Sequence, residues 1–217
     1  MKRAAGPREL PIPFVAPMVC EMRAGRKTQT RRLIRTLGRH GAISEFKRSD
    51  TPGYDWTFRD DEMRWQDYRE ERLLAELAPY RVGDRLWTRE AYRLLLGYDK
   101  RPPSSVEAGL PIRYEADGLG DRQTDGWLWG KRRPGMFMMR WMSRDLLEVT
   151  DVRIQRISDI SEADCIAEGC SGGHGAIPVY GYNATPREHF FHVITSINSE
   201  EAINEFAFAY TFKRLPK

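Results

Sequence analysis

The sequence predicts an α+β protein, built as a small mixed β-barrel with flanking helices and loop insertions. Three observations favour this fold class: the strand-like segments are short, they mostly follow one another directly, and the helical segments between them are few. A doubly wound sheet needs strands that alternate regularly with helices. This order of segments therefore favours a small barrel over a doubly wound sheet.

The length and composition suit one decorated domain. Single cores typically organise roughly 100 to 200 residues, and this chain has 217. Hydrophobic residues at 41% can form a core, and charged residues at 30% favour a soluble protein, so global disorder is excluded. We expect one domain over residues 1–217, with an insertion at about 36–80 and a loop insertion at about 171–186.

The N-terminal half predicts short elements in a clear order. The segment PIPF is extended, and a brief helix follows from about Pro17 to Ala24. The basic stretch AGRKTQTRRLIR turns into a strand at its end. The polar insertion contains a charged helical pattern, and RVGDRLWTRE then places a strand through Leu86 and Trp87. LPIRYEAD predicts another short strand, whereas RPPSSVEAGL and GLGDRQTDG are typical of loops.

The C-terminal half is patterned more strongly. MFMMRWMSRDLLEVTDVRIQRISDI carries long strand-like runs, and ISEADCIAEG predicts a helix that Ser161 caps and Gly169 ends. SGGHGAIPVYGYNATP is a loop and REHFFHVITSI a helix. INEFAFAYTFKRL alternates as a strand with its aromatic residues on one face.

The positive charge is concentrated in two segments, although the formal net charge is only +4. Residues 23–39 hold seven arginines and lysines without a carboxylate, and residues 131–144 form a second carboxylate-free basic segment. If the two segments meet in space, they form a cationic surface suited to phosphates. Otherwise they are two solvated faces.

Cysteine usage and hydropathy indicate a cytoplasmic protein. Cys20, Cys165 and Cys170 lack the spacing of a zinc site, and their odd number argues against a disulfide scaffold. The chain lacks an apolar run near the roughly 20 residues that span a bilayer, and MKRAAGPRELPIPF lacks the apolar core of a signal peptide. We therefore expect no membrane partner.

Lys27, Thr28 and Thr30 are the first candidates for chemistry. A threonine hydroxyl is a poor nucleophile alone, but a lysine kept neutral by burial or by nearby cations can take its proton. Those cations would be Arg26, Arg31 and Arg32. The alternative is an exposed basic loop whose threonines satisfy backbone groups.

Glu168 is the second candidate, because it lies at the end of a predicted helix, where the helix dipole disfavours a carboxylate. Such a residue is either simply exposed or held in place by a cation such as Lys27. A carboxylate held in that way can act as a general acid or base.

Aromatic and guanidinium groups are combined in two further segments, with Trp87, Arg89 and Glu90 in LWTRE and Arg140 and Trp141 in MRWMSR. Such pairs stack on nucleobases and bind phosphates, although each tryptophan can equally be a core residue.

The histidines give only a weak metal signal. His189 and His192 lie one helical turn apart, but a third ligand close to them in sequence is lacking and only His174 remains. We expect no metal site.

Together, AGRKTQTRRL, VGDRLWTRE, IRYEADG, RWMSRDLLEVTDVRIQRISDISEADCIAEG and NEFAFAYTFKRL resemble the ASCH-domain family in its longer phage- and prophage-associated form. The resemblance covers most of the chain outside the insertion and the loop that contains His174. It implies a PUA-like fold, a small mixed β-barrel with a cleft associated with RNA or nucleotides.

Shorter bacterial members of the family that this chain resembles remove the acyl group from N4-acetylcytidine without a metal or other cofactor. In their GRKTxTxR motif, the catalytic lysine matches Lys27 and the threonine matches Thr30, and a later glutamate matches Glu168. We therefore expect a metal-independent amidohydrolase that acts on N4-acylated cytosine or cytidine. The residues expected to bind the substrate are Arg26, Arg32, Trp87, Arg89, Glu90 and Arg140.

Two departures from the shorter enzymes keep an alternative open. The insertions could narrow or redirect the cleft, and Glu90 could supply a second acid. Other family members resemble RNA-binding modules or ribonucleases, so the alternative function is an RNA-binding module or ribonuclease that uses the basic cleft. The expected partners are a small nucleoside and, beyond it, RNA.

Overall fold

The computed structural model describes residues 6–118, 123–124, 126–178 and 180–216. This part of the chain contains the helices α1 (Ala16–Arg23), α2 (Glu70–Leu77), α3 (Glu162–Ala167) and α4 (Pro186–Ile197). Its strands are β1 (Glu9–Pro13), β2 (Gln29–Leu33), β3 (Glu45–Arg48), β4 (Trp56–Arg59), β5 (Trp65–Tyr68), β6 (Arg85–Arg89), β7 (Tyr92–Leu95), β8 (Arg113–Tyr114), β9 (Gln123–Thr124), β10 (Trp127–Arg133), β11 (Leu146–Arg156), β12 (Gly173–His174), β13 (Asn183–Ala184) and β14 (Phe206–Leu215).

Contacts within the chain divide it into two units. Unit 1 consists of Met1–Lys27, Gly83–Glu148 and Lys213–Lys217, and unit 2 consists of Thr28–Val82 and Val149–Phe212. The boundary between the units falls inside the basic stretch, directly after Lys27. The expectation of one domain with two insertions stays a prediction.

Unit 1 combines a parallel strand pair with an antiparallel sheet. β1 runs parallel to β6, from Glu9 opposite Arg85 to Pro13 opposite Arg89, and β6 pairs antiparallel with the first residues of β11. A second sheet has the strand order β8-β7-β10-β9. Its buried core consists of Tyr92, Leu94, Val106, Met138 and Met142.

In unit 2, β14 lies between β11 and β2. β2 is antiparallel to β14, and Thr30 faces Tyr210. β14 is buried along most of its length because Phe208, Tyr210 and Phe212 alternate with small residues, as the sequence predicts. β3, β4 and β5 form a separate antiparallel sheet in the order of the chain.

Rings from four of these strands form an aromatic cluster, defined as Phe46, Trp56, Phe58, Tyr68 and Phe206. Trp56 contacts Phe46 at a centroid distance of 5.1 Å and Phe206 at 5.2 Å. Phe58 stacks on Tyr68 at 5.7 Å. This cluster attaches the β3-β4-β5 sheet to the start of β14.

The α+β class is confirmed, and no closed barrel is identified within the described ranges. The helices predicted near residues 17–24, 162–168 and 187–197 are present as α1, α3 and α4. The strands predicted around Leu33, Leu86, Tyr114 and Phe208 are present as β2, β6, β8 and β14. None of the helices of the described residues is long and apolar enough to cross a membrane.

Several elements differ from the prediction. The charged segment of the insertion is helical only in α2, because it also contains β5, which pairs antiparallel with β4 and buries Tyr68. β7 and β10, which pair with each other, were not anticipated. Within the expected loop at 171–186, Gly173 pairs with Ala184. In the loop predicted at GLGDRQTDG, residues 119–122 and 125 lie outside the described residues.

Candidate functional site

The strand β2 presents its basic stretch in alternating directions. Thr30 is opposite Tyr210 and Arg32 is opposite Phe208, and facing residues of an antiparallel pair point to the same side of the sheet. Thr30 and Arg32 therefore share one face, and Arg31 points away from them. Thr30 is buried, so the expectation of an exposed basic loop is wrong at this position.

Helix α3 is fixed at both ends, and Glu168 stands at its C-terminal cap. The Ser161 hydroxyl accepts a hydrogen bond from the Asp164 amide at 3.1 Å, as the capping pattern predicts. Gly169 ends the helix with φ near +88°, a conformation that favours glycine. The backbone around Glu168 is thereby held in place, and its side chain is buried rather than exposed.

Arg31 is the cation that binds Glu168. One guanidinium nitrogen donates to Glu168 Oε1 at 3.1 Å, and the other donates to Asp164 Oδ2 at 3.0 Å and to Gln155 Oε1 at 2.7 Å. The Arg31 side chain is only 1% exposed. One buried arginine thus binds two carboxylates that lie one turn apart, Asp164 within α3 and Glu168 at its C-terminal cap.

A second arginine completes this network. Arg153 donates to Asp164 Oδ2 at 2.9 Å, on the same oxygen that Arg31 uses. Burial acts to raise the pKa of Asp164, but the positive charges of Arg31 and Arg153 outweigh it and hold that pKa below its ordinary value. We call Arg31, Arg153, Asp164 and Glu168 the α3 charge network.

Backbone hydrogen bonds connect the start of β2 to the end of α3. The Thr28 amide donates to the Ala167 carbonyl at 2.7 Å, and the Phe212 amide donates to the Thr28 carbonyl at 2.9 Å. The strand that carries Thr30 is therefore attached directly beside the residue that precedes Glu168. Thr30 and Glu168 both lie in unit 2, but Arg31, which binds Glu168, points to the opposite face of β2 from Thr30.

The pKa of Arg32 is influenced by the carboxylate of Glu168 as well. Burial lowers the pKa of Arg32, while Tyr80, Glu168 and Tyr210 act in the opposite direction. An arginine stays protonated under these conditions. Arg32 thus adds a fixed positive charge on the Thr30 face of β2.

Lys27 and Arg26 belong to unit 1. The Lys27 side chain is buried, with its ammonium 5.5 Å from the centre of the Phe14 ring, and its amide donates to the Glu21 carbonyl at 3.1 Å. Arg26 is exposed and donates twice to the Glu21 carboxylate, at 2.6 and 2.8 Å. Lys27 is therefore a buried cation, whereas the guanidinium of Arg26 is exposed and occupied by a carboxylate.

The remaining substrate-binding candidates fall into separate groups within unit 1. Trp87 is buried and Arg89 lies over its ring at 4.6 Å, which favours the core interpretation of this tryptophan. Arg140 is exposed and donates to Glu9 at 2.9 Å. Glu90 is buried and is bound by Arg144 at 2.8 and 3.0 Å. The partner of Glu90 is therefore Arg144, which the sequence did not single out.

Glu90 and Arg144 form a second buried network with Tyr114. Arg144 also binds Asp117, and its guanidinium packs on the Tyr114 ring at 3.9 Å. Burial raises the pKa of Glu90 despite the opposing charge of Arg144, and burial raises the pKa of Tyr114 to about 12. Arg144 therefore connects two carboxylates and the Tyr114 ring within unit 1.

The basic segments are largely neutralised by carboxylates. Within residues 23–39, Arg35 binds Glu205 through two hydrogen bonds, and within residues 131–144, Arg132 binds Glu115 in the same way. Arg133 donates to the Tyr98 carbonyl at 2.6 Å. The charge count of these segments therefore overstates the free positive charge that they present.

The histidines form no metal centre in the described part of the chain, where no group of three or more His, Cys, Asp or Glu side chains could hold an ion. The Gly172 amide lies 3.4 Å from His189 Nδ1 and donates to it. All three cysteines are free thiols.

Comparison of the chain with protein-family models, with curated proteins and with solved structures gives no match. Membership of the ASCH family thus stays a prediction from the motifs.

Proposed function

We propose that this protein is a metal-independent amidohydrolase that removes acyl groups from N4-acylated cytosine or cytidine, on an ASCH-type fold with a PUA-like barrel. The observation that carries the proposal is the buried contact of Arg31 with Glu168, together with the attachment of the Thr30 strand to the end of α3. A site that bound phosphate only through positive charge would need neither a buried threonine nor a buried glutamate.

The proposed chemistry begins at Thr30. Lys27, which the motif resemblance alone assigns as the base, removes the hydroxyl proton, and the Thr30 oxygen attacks the acyl carbonyl. The C–N bond then breaks, the cytosine amine leaves with a proton that Glu168 helps to deliver, and the acyl group remains as an ester of Thr30. Water hydrolyses this ester, releases the carboxylic acid and restores the hydroxyl.

The charge on the acyl oxygen needs donors in this scheme. Arg32 shares the Thr30 face of β2 and carries a fixed positive charge, so it is the candidate that the strand geometry supports. One such donor typically contributes about 3 to 4 kcal/mol to transition-state stabilisation.

A second division of labour has Thr30 position a water molecule that attacks directly. Rapid-quench mass spectrometry separates the two schemes. An acyl adduct on the peptide that contains Thr30 supports the nucleophile, and a single turnover without any adduct supports the water.

The deciding experiment follows the ultraviolet spectrum of N4-acetylcytidine with time. Wild-type protein should convert it to cytidine, Lys27→Ala and Glu168→Gln should lose about 100-fold or more of the rate, and the exposed Lys100→Ala control should keep it. The control removes one lysine charge without touching the motif. The absence of conversion over a range of acyl groups would refute the proposal and leave the RNA-binding alternative.

A further inference from the structure

A groove of about 530 Å³ opens in unit 2 between the ends of β2 and β11 and the starts of β3 and β14. Its walls include Phe46 and Phe206 from the aromatic cluster and the charged or polar side chains of Arg35, Ser44, Glu45, Arg156, Asn204 and Glu205. We call it the Phe206 groove. None of these residues belongs to the proposed catalytic set.

Arg156 gives this groove a flat cationic surface. Its guanidinium lies over the Phe206 ring at 4.9 Å, and the side chain is exposed. Among the residues that the structure describes, Arg156 has no carboxylate partner, in contrast to Arg35, which Glu205 binds through two hydrogen bonds. An exposed arginine that is stacked on an aromatic ring and left unneutralised is arranged to receive a planar, negatively charged ligand.

The groove has the chemistry of a nucleotide subsite. Nucleobases stack on aromatic rings and on guanidinium planes, and arginine also binds phosphate. The Asn204 amide and the Glu205 carboxylate provide a donor and acceptors for the edge of a base. Its volume lies within the usual range of ligand sites.

The position of the groove along β2 indicates the length of the ligand. Thr30 lies in β2 and Arg35 lies two residues beyond the end of that strand, so the five residue steps between them span up to roughly 16 Å. A free nucleoside is shorter than this span, whereas a strand of a few nucleotides can reach across it.

We propose that the Phe206 groove binds a nucleotide of a single-stranded polynucleotide, so that the acylated cytidine is presented at the Thr30 site as part of a strand. The part of this inference that concerns the reaction rests on the proposed function. The binding of a strand by the groove does not depend on it. It makes a polynucleotide, rather than a free nucleoside, the preferred substrate.

The test measures fluorescence anisotropy of labelled ten-nucleotide oligocytidine strands, one of RNA and one of DNA, without acyl groups. Arg156→Ser should weaken binding about tenfold, because it removes one stacking and one phosphate contact. The matched control Arg72→Ser, which removes an exposed arginine of α2 in the same unit, should bind as the wild type does. Tighter binding of the RNA strand would identify RNA as the physiological source.

Two results with the oligocytidine strands would overturn the inference: no binding of either strand by the wild type at low salt, or equal effects of the two substitutions. Equal binding of a polyglutamate peptide would also overturn it, since the groove would then recognise charge and not bases. As a check independent of Arg156, photocrosslinking of 4-thiouridine RNA should label the peptide that contains Phe206.

Failure of this inference and failure of the proposed function can be told apart. Turnover of N4-acetylcytidine without binding of the strands would overturn only the polynucleotide inference. Binding that depends on Arg156, without turnover of any acylated cytidine, would keep the groove and overturn the amidohydrolase.

Discussion

Replacing Arg31 by methionine tests whether the α3 charge network holds unit 2 together. The Arg31 side chain is 1% exposed and that of Glu168 is 7% exposed, so the substitution removes an arginine that binds a buried carboxylate. Breaking a buried pair from one side typically costs about 3 to 5 kcal/mol. Asp164 loses one of its two arginine partners in this variant, but it retains the hydrogen bond from Arg153.

This cost corresponds to a large thermal shift. For chains of this size, 1 kcal/mol changes the melting temperature by roughly 2 to 4 °C, so Arg31→Met should lower it by about 6 to 20 °C. Arg31→Lys keeps the charge but loses the fork of parallel donors, and it should fall between the wild type and Arg31→Met. Calorimetry and urea unfolding measure both variants.

A double-mutant cycle isolates the contact itself. Glu168→Gln should relieve part of the loss caused by Arg31→Met, with a coupling free energy of about 1 to 3 kcal/mol. The matched control is the exposed pair of Arg72 and Glu76, where Arg72→Met should cost less than about 1 kcal/mol. Equal costs for Arg31→Met and Arg72→Met would refute the view that burial makes the Arg31 contact strong.

Three further predictions concern stability. Arg31 and Arg153 hold the pKa of Asp164 below 3.8 against the effect of burial, so the ionised carboxylate stabilises the folded protein above that pH. The free energy of unfolding, measured in urea, should therefore differ less between the wild type and Asp164→Asn as the pH falls from about 5 to about 2. Ser161→Ala removes the α3 cap and should cost about 1 kcal/mol in the same assay, whereas retention of full stability would contradict the capping role. Gly135→Ala places a methyl group 3.0 Å from the Glu90 backbone and should cost about 1 to 3 kcal/mol, whereas Gly97→Ala, which meets nothing within 4 Å, should cost less.

Local patterns predicted many of the elements. The cap at Ser161, the stop at Gly169 and the alternating aromatic residues of β14 are encoded within a few residues, and the structure has each of them. Such signals depend on the backbone and on the nearest neighbours, so they can be interpreted without knowing the rest of the chain.

The insertion shows where local patterns fail. Its charged residues from Arg59 onward predict a helix, but that segment contains β5, whose Tyr68 packs in the aromatic cluster. This cluster also includes Phe206, which is more than 130 residues away in sequence. The spacing of apolar residues within a short segment cannot reveal a packing partner that is so distant in sequence. The same limit explains why β7 and β10 were missed.

The residues of the candidate site also divide into those that a local motif selects and those that only the folded structure reveals. The motif selected Thr30 and Glu168, and their burial fits a role other than an exposed loop. The sequence treated Arg31 only as a source of positive charge and did not identify it as the partner of Glu168. The spacing of Asp164 and Glu168, one turn apart on a short helix, was the signal that a shared cation was needed.

The number of cations in a segment is therefore a poor guide to the ligand of that segment. The basic stretch suggested a phosphate surface, yet Arg26, Arg31 and Arg35 are each bound to carboxylates of the same chain. Each pair removes one charge from the field that would attract a nucleic acid, and the buried pair of Arg31 serves to order Glu168 instead. Arg156, which the proposed groove uses, lies outside both basic segments and is stacked on Phe206 without a carboxylate partner in the described part of the chain. Nucleic-acid affinity should consequently depend on this single, preorganised guanidinium more than on the net charge of +4.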